Sequence, residues 1–189
     1  MRRPTRQELD QAIIDSAALL FARHGYEHTS VQQIADAVGY SKTGLLHRFP
    51  SKEALLRAVA DQFVAELTTL VGTAQEHPAG PARDLALIRA MTDRALHRQG
   101  TTALMVSSLS THATAEDLAW LQHVGDELFG AFGVEDPVAD QDRCVRILGA
   151  LGAIAVIALA TTDQNQDDLR ELIVATAFDA LGHPRTGPS

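Results

Sequence analysis

The chain has 189 residues, of which 46% are hydrophobic, 21% charged and 5% aromatic. That composition excludes wholesale disorder, and the length suits one domain or one domain with a small module. The lone cysteine, Cys144, excludes an internal disulfide and a cysteine-ligated zinc site.

The net charge is -8, which taken alone argues against a polyanionic partner. The charge is unevenly spread, however. Residues 1–57 hold eight Lys/Arg and six Asp/Glu, and both lysines of the chain, Lys42 and Lys52, fall there. A mildly basic head on an acidic body suits a protein that touches a polyanion at one end. The start, MRRPTRQELD, has no apolar run behind it, so no signal peptide is expected. The longest apolar stretch, Gly149 to Ala160, falls short of the roughly 20 residues a bilayer requires. The expected setting is cytoplasmic, with no membrane.

Apolar residues recur at helical spacing throughout, so the sequence predicts an all-α fold of about nine helices. Thr5-x-x-Glu8 is a capping box that opens a first helix over 6–24, stopped by Gly25. Ser30-x-x-Gln33 opens a second, 31–38, stopped by Gly39. Ser41 caps a third, 42–48. A long fourth helix runs over 51–75, and HPAGP (His77 to Pro81) is the clearest break. A fifth helix covers 81–99, ended by Gly100, and a sixth covers 102–112. Thr114-x-x-Asp117 caps a seventh, 115–132. Pro137 is the first-turn residue of an eighth, 137–162. The ninth covers 166–181, and residues 183–189 form a disordered tail. The expected domains are a helix-turn-helix head, 1–50, and a body, 51–182.

The segment TSVQQIADAVGYSKTGLLHRFPSKE, Thr29 to Glu53, carries the most information. Two short helices joined at Val38-Gly39-Tyr40-Ser41 have helix-turn-helix spacing, and the glycine permits the positive φ of a sharp turn. Helices this short need a shared core, for which the candidates are Phe21, Ile34, Val38, Leu45 and Phe49. Around Leu45 the third helix would present Lys42, Thr43, Gly44, Leu46, His47 and Arg48 outward. Lysine and arginine can donate to guanine or phosphate, threonine can meet a base edge or a thymine methyl, and glycine permits close approach. Lys52 would add a phosphate contact. The bland alternative is a solvated helix pair. The glycine turn, the double capping and the short basic helix together argue against it.

This segment resembles the DNA-binding head of the tetracycline-repressor (TetR) family. Ser30, Val31, Ile34, Ala35, Val38, Gly39, Ser41, Leu45, Phe49, Ser51, Lys52, Glu53 and Leu55 carry the resemblance, which covers about a quarter of the chain. Two positions depart from it. Leu46 stands where members usually have a phosphate-binding tyrosine, and Arg48 stands where His or Tyr is usual before Phe49. The resemblance implies a ligand-responsive transcriptional repressor that binds double-stranded DNA at a palindromic operator. It implies DNA contacts from Ser30, Gln32, Gln33, Lys42, Thr43, Gly44, Leu46, His47, Arg48 and Lys52, with Arg2, Arg3 and Arg6 as a flexible arm.

The resemblance also implies a homodimer through the last two helices. Those helices carry apolar and small residues at Leu148, Gly149, Leu151, Gly152, Ile154, Ala155, Ala158 and Leu159, then at Leu169, Leu172, Ile173, Thr176, Ala177 and Ala180. Helices four to seven would surround an effector cavity lined by Met91, Leu104, Met105, Ser108, Trp120, Val124 and Leu128. No Lys/Arg pair marks an anionic ligand, so a largely apolar small molecule is expected. No catalytic constellation, cofactor motif or metal-ligand spacing is visible, and neither an enzyme, a cofactor nor a metal is expected. The alternative is an all-α small-molecule carrier that reads no DNA.

Overall fold

The protein is described by a computed structural model covering residues 5–110, 124–161 and 166–183. These are α-helical, with no strand among them. The helices are α1 (Arg6–His24), α2 (Val31–Ala37), α3 (Lys42–Arg48), α4 (Lys52–Ala74), α5 (Pro81–His97) and α6 (Gln99–Ser110). Helical residues 124–131 form α7, followed by α8 (Gln141–Ala160) and α9 (Gln166–Ala180). Most of the seventh helix expected from the sequence, its Thr114 cap, Trp120, Arg2, Arg3 and residues 184–189 lie outside the described residues.

Local chemistry sets the N-terminal elements. The Glu8 amide donates to Thr5 Oγ1 at 3.2 Å, and Glu8 Oε2 accepts from the Thr5 amide at 2.6 Å. Ser30 and Gln33 repeat that reciprocal pair at the start of α2. Each satisfies amides that a helix start leaves without intrahelical partners. Gly25 and Gly39 take φ of 81° and 70°, the left-handed region where a Cβ is costly.

The chain divides into two compact units. The first joins Met1–Ala65 to Arg98–His112. Its core is Ile13, Ala17, Phe21, Ile34, Ala35, Leu45 and Leu55, with Val38, Phe49, Tyr26, Tyr40 and Leu104 packed around it. The α1–α6 pairing is part of this unit, so α6, expected within the body, packs with the head.

Gly100 explains why that pairing is close. The sequence reading made it the stop of the fifth helix, but it lies inside α6 and is buried. A Cβ there would collide with the Asp15 carbonyl oxygen and sit 3.1 Å from the Leu19 amide nitrogen, both on the α1 backbone. The glycine serves helix–helix approach, and Arg98 pairs with Asp15 at 2.9 Å beside it. Backbone cannot move aside as a side-chain tip can. Gly100→Ala is therefore expected to lower stability by roughly 1–3 kcal/mol, the usual cost of overpacking. A chemical-denaturation midpoint equal to that of the parent would refute the close crossing.

The second unit comprises Glu66–His97 and Ala113–Ser189. Here α5 packs on α8 and α9, and α8 packs on α9. Leu67, Leu87, Ile88, Ile147, Ile154, Ile173 and Ala177 are buried. One charge lies deep in this unit. Asp84, in the first turn of α5, is 1% exposed and is bonded by the Arg143 guanidinium and by His183 Nε2 at 2.7 Å. A buried carboxylate persists only with such compensation.

The eighth helix begins at Gln141, four residues after the proline expected to open it. The Asp136 carboxylate instead accepts the amides of Val138 and Ala139 at 2.9 and 3.2 Å, which shapes 137–139 into a turn. The apolar stretch measured from Gly149 was too short for a bilayer. The complete α8 has 20 residues, and an 18-residue window of it has a mean hydropathy of 1.9, enough to cross one by length and composition alone. One side of it is nevertheless committed to α5 and α9.

Candidate nucleic-acid interface

The α2–α3 corner is built from buried anchors with polar side chains outside. Ile34, Ala35 and Leu45 are 0% exposed and fix both helices to α1. Gly39 allows the chain to reverse, and the Tyr40 amide donates to the Ala35 carbonyl at 2.8 Å. Ser41 Oγ accepts the Gly44 amide at 3.0 Å and sets the first turn of α3. Lys42, Thr43 and His47 then stand exposed on α3, with Leu46 half-buried. No bond within the described residues holds the Lys42 ammonium, so this cation is available to an outside anion.

Several expected contact residues have internal work. Ser30 and Gln33 cap α2 reciprocally. Gln32 Nε2 donates to Asp36 Oδ1 at 2.7 Å. These side chains remain exposed, so they can meet a partner only by exchanging existing bonds.

Arg48 and Lys52 differ from the expectation that both project freely. Arg48 Nε lies 3.1 Å from Asp10 Oδ1 of α1, and its side chain is only 17% exposed. Lys52 Nζ donates to the Tyr26 carbonyl oxygen at 2.8 Å and sits 4.1 Å from the centroid of the Tyr26 ring. Sequence spacing could not reveal these partners, because both lie on distant parts of the chain.

Two contributors were missed in the sequence. Thr29, 2% exposed, donates its hydroxyl to the carbonyls of Leu20 and Gly25, closing the turn between α1 and α2. Tyr26 packs on Phe21 with ring centroids 5.3 Å apart and donates its hydroxyl to Glu53 Oε1 at 2.9 Å. A lone tyrosine after a helix-stopping glycine carries no signal of either contact.

Burial, the hydrogen bond to Glu53 and that residue's charge push the Tyr26 hydroxyl up to about 12. The hydrogen bond from Ser51 and those from its own amide and Tyr26 hold the Glu53 carboxyl below its usual value. The unfolded tyrosine releases its proton near pH 10, whereas the folded one keeps it. Stability from this contact is thus complete below pH 10 and lost as the pH rises toward 12. The Tyr26→Phe protein is expected to show a weaker fall in melting temperature between those pH values. An identical alkaline fall in both proteins would contradict the assignment.

The expected effector-lining residues fall in different places. Leu104, Met105 and Ser108 belong to the first unit. Leu104 packs on the head core, and Ser108 donates its hydroxyl to the Leu104 carbonyl at 2.8 Å. Met91, Val124 and Leu128 belong to the second unit, with Val124 buried.

Residues 13–59 match the family described as bacterial regulatory proteins, tetR family. The HTH-type transcriptional regulator RutR of Escherichia coli K12 is 46% identical over 54 residues, covering 29% of this chain and 26% of RutR. The HTH-type transcriptional repressor AcnR of Corynebacterium diphtheriae is 36% identical over 61 residues, 32% of either chain. The similarity to these curated relatives therefore spans about a quarter to a third of their length.

Solved structures extend the likeness in fold. A TetR-family transcriptional regulator from Bordetella parapertussis superposes with a TM-score of 0.64 at 24% identity, covering 96% of this chain and all of the other. A TetR-like regulator from a Rhodococcus species gives 0.63 at 18% identity with the same coverage. Capped α2 and α3 around Gly39, the shared core beneath them and the match over 13–59 agree: the head of this chain is similar to the tetR family of bacterial regulatory proteins, and its helices have the fold of the solved TetR-like regulators.

Proposed function

We propose that the chain is a ligand-responsive DNA-binding transcriptional regulator, a repressor that binds a palindromic operator as a homodimer and is released by a small molecule. The observation that carries this reading is the exposed face of α3. Lys42, Thr43 and His47 stand outward on a helix whose other side is locked to the head core. In the proposal these three read or clamp the DNA with Gly44 and Leu46, while Ser30, Gln32 and Gln33 of α2 meet the adjoining backbone. The head is residues 1–50 and the body 51–182.

Dimerisation is proposed through α8 and α9. One short recognition helix buries little and binds weakly, whereas two copies about 34–36 Å apart read both halves of a palindrome. The effector is a largely apolar molecule bound in the body, with Met91, Val124 and Leu128 as contact candidates. Release is a population shift: the effector favours a state in which α4, which continues from one compact unit into the other, moves the heads off the groove spacing. It must bind the two states differently, or the equilibrium does not move. The proposed setting is the cytoplasm.

The test is selection of bound duplexes from a random DNA pool at moderate salt. An enriched palindrome is the expected result, and it supplies the operator for effector screening. Folded protein that enriches no sequence would overturn the DNA-reading function.

A further inference from the structure

We infer that Arg48 and Lys52 serve DNA reading as positioning residues that aim α3, and that neither takes a phosphate itself. This rests on the proposed DNA-binding function and divides the head's cations by task. Arg48 closes the last turn of α3. Its guanidinium reaches across to Asp10 on α1, with the two side chains 17% and 35% exposed. Positive charge at a helix C-terminus is favourable in itself, and the pair fixes the end of α3 against α1. Lys52 opens α4. Its ammonium is held twice at one place, by the Tyr26 carbonyl and by the face of the Tyr26 ring. Tyr26 in turn is bonded to Glu53, the next residue of α4.

Both struts act on the C-terminal side of α3, one at its last residue and the other just beyond the Pro50 link, and they run to α1 or the turn that follows it. Lys42 shows the contrasting arrangement, an exposed cation on the first turn with no internal acceptor among the described residues. To reach a phosphate, Arg48 must leave Asp10, and Lys52 must leave both an acceptor and a ring. A helix seven residues long has little rigidity of its own, so its aim depends on what ties it down.

Salt dependence separates the two tasks. Each phosphate contact contributes about 0.9 to the slope of log affinity against log salt, hence about 1.8 for a dimer with both heads engaged. The proteins to compare are the full chain and its Arg48→Met, Lys52→Met, Asp10→Asn and Tyr26→Leu variants. Each is titrated by anisotropy against the duplex enriched by selection and against a mixed-sequence duplex, at several salt concentrations.

The expected result is an unchanged slope in all four variants. Affinity for the enriched duplex falls roughly tenfold, the cost of about one misread base pair, while mixed-sequence affinity holds. Asp10→Asn is decisive, because removing a negative charge should tighten DNA binding by electrostatics alone, whereas losing the strut weakens recognition. Asp10→Asn and Tyr26→Leu also leave each cation in place, so they remain informative if a cation variant fails to fold.

A slope reduced by about 1.8 in Arg48→Met or Lys52→Met would identify phosphate contacts and overturn the inference. So would an unchanged ratio of enriched to mixed-sequence affinity, which would mark the contacts as contributing to stability only. Parent protein showing no salt-dependent binding would overturn the DNA-binding function, and this inference with it. Parent protein that binds normally confines any failure to the positioning roles.

Discussion

The Leu45→Ala protein is expected to lose DNA binding and to unfold its head at lower denaturant than the parent. Leu45 is 0% exposed and belongs to the cluster formed with Ile13, Phe21, Ile34 and Leu55. Removing a fully buried leucine costs about 2–5 kcal/mol, because the transfer energy is lost and a cavity remains. The seven-residue α2 and α3 cannot absorb that loss, since helices so short have no independent stability. Leu45 is buried in that cluster while Lys42 and Thr43 are exposed, so packing alone carries its effect on recognition. Lys42→Met gives the contrasting result: an unchanged denaturation midpoint and a shallower salt slope. The check is denaturant unfolding followed by circular dichroism, with anisotropy on the duplex enriched by selection. Normal unfolding in Leu45→Ala would mean that the cluster does not hold α3.

What the sequence could reveal depended on distance along the chain. The starts of α1, α2 and α3 were legible because Thr5, Ser30 and Ser41 act within three residues of themselves, and the turns after α1 and α2 because Gly25 and Gly39 meet a local demand for positive φ. The apolar positions Phe21, Ile34 and Leu45 were legible from helical spacing. Gly100 was misread for the converse reason. A glycine in a helical pattern looks like a stop, and only the α1 backbone opposite shows it as a point of close approach. Pro137 was misread because Asp136 captures the next two free amides and delays the helix. Arg48 and Lys52 were recognised as cations of the head, but Asp10 and Tyr26, which engage them, come from outside the motif. Lys42 could be read as free because nothing elsewhere in the described chain claims it. Family resemblance points to the proposed DNA-facing surface; tertiary contacts determine which of its charges are available.

Placing glutamates at Leu148 and Val156 together is expected to convert the proposed dimer into a folded monomer. Val145, Leu148 and Val156 are 68%, 57% and 63% exposed on α8, and Leu172 is 62% exposed on α9. On α8 the exposed positions recur with Gly149 and Gly152 between them, while Cys144, Ile147, Ile154 and Ala158 face inward. Full burial of a valine or leucine side chain contributes roughly 1.5–3 kcal/mol, so a second copy covering this face gains from every position twice by symmetry. In the monomer the new carboxylates remain in water, and folding should change little. In the dimer four of them would lose water without a partner, at several kcal/mol each. Val138→Glu is the control: Val138 is 79% exposed but lies in the turn before α8, so its variant should keep the parent mass. Light scattering reads both. A double variant that remains dimeric would place the interface elsewhere. One that becomes monomeric should also bind the enriched palindrome far more weakly, because a single α3 can engage only one half-site.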